Sequence, residues 1–175
     1  MKRVCSQQIF CSPDVILRNT VVEQDSNNRI TNLIALGNQL AETSHTLFYD
    51  GIISSEIMSV KFNIGSNDEN FLNDYQHINL QLNTSDKLFK PESKPLLLDF
   101  ESNDLSIINA ILKEKYYLLS NFNVFEIIAG CTYYPNYILN LSKEIKLFSK
   151  TNLLLWKGFH QTNNSINRQI EIIRL

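Results

Sequence analysis

The sequence predicts an α+β domain: a small β-sandwich built from both chain ends, with two to three helices between them. Three observations predict it. The first 54 residues hold four β-rich runs separated by turn-forming clusters. The middle holds two segments with helical spacing, each preceded by a capping residue. The last 25 residues return to strand-like composition, so both ends are expected to join one sheet system. At 175 residues the chain suits one well-buried domain spanning 1–175, with 1–56 and 150–175 supplying the sandwich strands.

The opening strands are VCSQQIFC, DVILRNTVVEQD, RITNLIALGN and TLFYDGII, interrupted by SPD at 12–14, DSNN at 25–28 and AETSH at 41–45. Runs spaced by about ten residues suit an antiparallel sandwich. Next, IMSVKFNI alternates, with Ile57, Ser59, Lys61 and Asn63 on one face and Met58, Val60, Phe62 and Ile64 on the other. Residues 67–94 are polar, with a weak helical pattern in ENFLNDYQHI, and KPLLLDF reads as a buried strand.

Two helices follow. In DLSIINAILKEKYYLL the apolar residues Leu105, Ile108, Leu112, Tyr116 and Leu119 recur at three and four, with Asn103 or Asp104 as cap. Asn123 with Glu126 opens NVFEIIAGCTYY as a capping box. Pro135 should end that helix or start another. TNLLLWKGF and RQIEIIRL close the chain as strands.

Composition excludes several classes. A formal net charge of -2, with 16 Lys and Arg scattered along the chain, gives no case for nucleic acid. No apolar run approaches the ~20 residues of a membrane span. MKRVCSQQIF lacks the apolar stretch of a signal peptide, and three cysteines at unrelated spacings make no disulfide framework. A reducing cytoplasm is the expected compartment.

Several stretches together resemble the metal-dependent amidohydrolase superfamily. DVILRNTVVEQDSNNRITNLIALG is similar to that family's opening strand, turn and strand. FYDGIISSEIMSVKFNI is similar to the join into its first barrel strand, where a His-x-His pair binds metal. FNVFEIIAGCTYYPNYILNLSKEIKLFSKTNLLLWKGF resembles the last barrel helix and return strand, and LLLDFESNDLSI the eighth-strand segment. The resemblance implies a composite sandwich flanking a barrel.

It also implies what is missing. Lys61 and Asn63 fall at the metal-binding histidine positions. An ammonium offers no free lone pair, and an amide is a poor ligand beside imidazole. Asp99 falls where the family's eighth-strand carboxylate would be. About thirty residues separate 57–64 from 95–100, too few for a barrel of roughly 250 residues. The expectation is a reduced barrel remnant over 57–149, with 57–64 and 95–100 as a remnant parallel strand pair.

Each chemical candidate has a plainer reading. Lys61 could bind an anion, but a strand lysine is commonly a solvated edge device. Asp99 and Glu101 could be an acid–base pair, or could sit at a strand end and cap the following helix, which starts near Asp104. Cys131 could act with His160, but a cysteine within EIIAGCTYY reads as core. His45, His77 and His160 lack ligand spacing, Trp156 reads as packing, and Gly51 and Gly130 read as turn and close-packing residues. The balance favours a non-catalytic binding or oligomerisation module without cofactor or metal, partnered by a second copy or another subunit. A small hydrolase of C–N bonds, with an atypical site at Lys61, Asp99 and Glu101, is the first alternative. A small-metabolite sensor is the second.

Overall fold

The computed structural model describes residues 1–37, 45–60, 73–158 and 170–175. Lys61, Asn63 and His160 lie outside them. The four opening runs form β1 (Lys2–Ser12), β2 (Val15–Gln24), β3 (Ile30–Ala35) and β4 (Leu47–Ser54). The closing runs form β7 (Leu154–Lys157) and β8 (Glu171–Arg174). Together they make one six-stranded sheet in the order β3-β2-β1-β4-β7-β8. Both chain ends therefore contribute to it, as the composition predicts.

The sheet is antiparallel except at its centre, where β1 and β4 run parallel. The β2–β3 hairpin lies between them in sequence, so β4 arrives as a crossover and not as a fourth meander strand. Their register slips between Ser6 and Gln8, where β4 carries the extra residue. Gly51 occupies that bulge with φ +138°, and a Cβ there would collide with the Trp156 carbonyl oxygen. The Ser6 hydroxyl donates to the Gly51 carbonyl and closes the bulge.

The sheet also curls. Although three strands separate β3 from β7 in the order, Arg29 bridges Lys150, Ile30 N–H donates to Ser149 O at 2.9 Å, and Phe148 N–H donates to Ile30 O at 2.8 Å. The buried Gln24 amide reaches the Thr151 carbonyl at 2.8 Å. Inside the curl lie Val4, Ile9, Val22, Ile30, Ile53, Leu153 and Leu155. Neighbours on the same strands face the other way: Phe10, Ile52, Leu154, Trp156 and Ile172 meet the helices. Both faces are thus apolar, which explains continuous runs such as LLLW.

That second core is completed by β5 (Gln76–Leu80), β6 (Leu96–Phe100), α1 (Leu105–Lys115) with a 3₁₀ turn at Tyr116–Leu119, α2 (Val124–Cys131) and the short α3 (Tyr133–Ile138). Asp104 caps α1, and Asn123 with Glu126 makes the expected capping box on α2. Gly130 lets α2 lie against β6, since a Cβ would come within 3.0 Å of Leu96 O.

The parallel pair is present, but its members differ from expectation. The partner of β6 is β5, in register from Gln76↔Leu96 to Leu80↔Phe100. Residues 55–59 are irregular, so the run beginning at Ile57 does not enter that sheet as a strand there. The weak helical reading of ENFLNDYQHI is corrected as well, since Gln76, His77 and Ile78 are strand.

Candidate functional site

Alternation on β5 and β6 separates two faces. Ile78, Leu80, Leu96, Leu98 and Phe100 enter the helical core. His77 and Asn79 on β5 share the opposite face with Leu97 and Asp99 on β6. A carboxylate that folds to 0% exposure beside three leucines requires donors, because an isolated buried charge is prohibitively costly.

The donors come from three directions. Val60 N–H reaches Asp99 Oδ1 at 2.6 Å and the Ser59 hydroxyl reaches the same oxygen at 3.0 Å. His77 Nε2 lies 2.6 Å from Oδ2. Ser59 N–H donates at 2.8 Å to Asn103 Oδ1, so Asp99 within β6 and Asn103 just after it stitch residues 59–60 to the strand end. The stretch leading there is anchored too: Met58 N–H donates to Cys131 O at 3.1 Å, and Glu56 takes Lys143 at 2.6 Å and Asn152 at 2.9 Å.

This contact orients His77. A carboxylate oxygen accepts hydrogen bonds, so this contact favours the tautomer with the proton on Nε2, which leaves Nδ1 as the acceptor nitrogen. The His77 side chain is 22% exposed, against 0% for Asp99. A buried carboxylate thus holds an imidazole whose second nitrogen can accept a proton, a hydrogen bond or a metal. Asp99 lies near the carboxyl end of β6, whereas His77 is the second residue of β5, so the contact runs diagonally across the pair.

The other candidates are placed elsewhere. Glu101 is exposed beyond the strand end and does not share the buried position of Asp99. The helix cap is Asp104, not Asp99 or Glu101. Cys131 is fully buried, and burial together with the nearby Asp99 charge pushes its thiol well above the ordinary range. Burial raises Cys5 and takes Cys11 to about 11, so all three thiols stay protonated near neutral pH. His45 is exposed in a turn with φ +65°. Trp156 is buried packing, its indole N–H donating to Ser54 Oγ at 2.8 Å. Among the described residues no three His, Cys, Asp or Glu side chains converge as a metal site.

Sequence reasoning missed His77. Its partner is 22 positions away, and only the β5–β6 register brings the two side chains to one face. No protein-family model matches this chain, and no curated protein or solved structure matches it.

Proposed function

We propose that this chain is a non-catalytic binding and oligomerisation module related to the metal-dependent amidohydrolases. The observation that carries this reading is the commitment of Asp99. Its two oxygens take at least three donors within the fold, and the residue has no exposed surface. A carboxylate so placed joins segments and cannot itself reach a water or substrate. The sheet drawn from both chain ends, and an aspartate near the carboxyl end of a parallel strand, support the proposed relationship.

Large apolar side chains are left for a second copy to cover, with Leu47 and Phe48 each 55% exposed on β4 and Phe148 69% exposed before β7. Sedimentation velocity tests the reading, with a dimer or larger species expected. A single monomeric boundary at high protein concentration would overturn the oligomerisation part.

The His77–Asp99 contact favours a second reading, a small hydrolase of C–N bonds. His77 Nδ1 would take a proton from water as hydroxide attacks the carbonyl carbon, then return it to the departing nitrogen. Turnover of a cyclic amide that is lost in His77→Gln, a variant that stays folded, would establish this reading and remove the first.

A further inference from the structure

A groove of about 370 Å³ opens on another part of the surface. It lies between the β1–β2 turn at Pro13, the segment approaching β6 and the first turn of α2. Its size falls within the range of small-ligand sites. Phe122, Phe125 and Tyr134 supply ring surface, and Glu92 and Glu126 bring carboxylates to the same space.

The walls are held by the fold. The Gln76 side chain clamps the approach to β6, donating to Lys90 O at 2.7 Å and accepting from Glu92 N–H at 2.9 Å. The Asn121 amide donates to Phe89 O at 2.6 Å. Phe125 stacks on Phe10, ring centres 6.2 Å apart, and the capping box fixes the start of α2. A preformed groove spares a ligand the cost of ordering its site.

Charge selects the ligand class. The backbone donors at the start of α2 are already taken by Asn123 Oδ1, and Asn123 N–H donates to Glu126 Oε2, so an anion finds little to bind. Lys94 also lines the groove and carries a positive charge, but its ammonium is drawn to Asn73 O at 2.6 Å, and two carboxylates stand against that one cation. Burial first, then the neighbouring Tyr133 and the charges of Asp14 and Glu126, push the Tyr134 hydroxyl up. Aromatic faces beside carboxylates attract cations and repel anions.

We infer that this groove binds a small organic cation, an ammonium carried on an apolar body, with the rings enclosing the body and Glu92 and Glu126 facing the charge. The site is separate from His77 and Asp99, and the inference does not depend on the function proposed above.

The test is an amide-shift NMR titration of the full chain with phenethylammonium, 2-phenylethanol and phenylacetate. The expected result is saturable binding of the cation, with shifts centred on residues 91–96 and 122–134. The alcohol should bind at least several-fold more weakly, and the anion weakest. Glu92→Gln with Glu126→Gln should reduce cation affinity about tenfold and leave the alcohol unchanged, since glutamine also completes a capping box. Equal or tighter binding of the anion, shifts centred elsewhere, or no saturable response to the cation would overturn the inference. A response only to an arginine-containing peptide would replace it with a peptide groove.

Discussion

The curled six-stranded sheet and the β5–β6 pair are both rich in leucine and isoleucine, yet they are held in place differently. In the sheet, adjacent residues such as Ile52 and Ile53, or Leu154 and Leu155, bury into opposite cores. Apolar contact and the hydrogen-bond ladder hold its central strands, with local polar links such as Ser6 to Gly51 O and Arg3 to Glu23 between strands already paired. The pair buries one face the same way, but its other face carries His77, Asn79 and Asp99. There a single carboxylate joins β5, β6 and residues 59–60. The contrast separates two uses of burial. Apolar burial supplies stability at low specificity, whereas a buried charge fixes which segments meet, at a desolvation cost its partners must offset.

Asp99→Ala should give the largest effect, about 3–5 kcal/mol in urea unfolding, because it leaves buried donors without an acceptor. Asp99→Asn should cost less, since an amide oxygen can still accept from Ser59 and Val60. A loss below about 1 kcal/mol in the alanine variant would erase the distinction between the regions. On the sheet side, Gly51→Ala should cost about 2–3 kcal/mol, combining an unfavourable φ with a clash at the Trp156 carbonyl. If it is tolerated, the bulge is not a fixed part of the β1–β4 junction.

Asn123→Ala should cost about 1 kcal/mol by removing the acceptor for Phe125 and Glu126 N–H, a local effect independent of both regions. The smallest effect concerns acid. Lys115 and the Tyr117 hydroxyl hold Asp86 below the ordinary carboxylate range. Its contribution is complete above the unfolded value near ~3.9 and is lost as pH falls through the lower folded value. Urea midpoints measured from pH 6 to 2 should therefore fall slightly more steeply for the natural chain than for Asp86→Asn. Asp86 is largely exposed, so that difference should shrink in high salt.

Local signals were readable where sequence neighbours decide the outcome. Turn clusters separate β1, β2 and β3, and Asp104 and Asn123 mark helix starts without reference to the rest of the fold. Strand β5 was hidden because Gln76 occupies an inward position. A buried glutamine is stable there only because it bonds Lys90 O and Glu92 N–H, which its own segment does not show. The parallel β1–β4 contact and the β5–β6 register were equally invisible, since periodicity along a strand does not identify its neighbour. The site followed suit: Asp99 was legible as a candidate, but its partner His77 was not.

The strand order has a kinetic consequence. β4 sits between β1, made earlier, and β7, made only after the whole helical segment. Early hairpins can form at once, while Ile52 and Ile53 gain their β7 neighbours only through a distant ring closure. Refolding should then proceed in milliseconds to seconds rather than microseconds, and the unpaired side of β4 is where an incomplete chain is most exposed to pairing with the wrong strand.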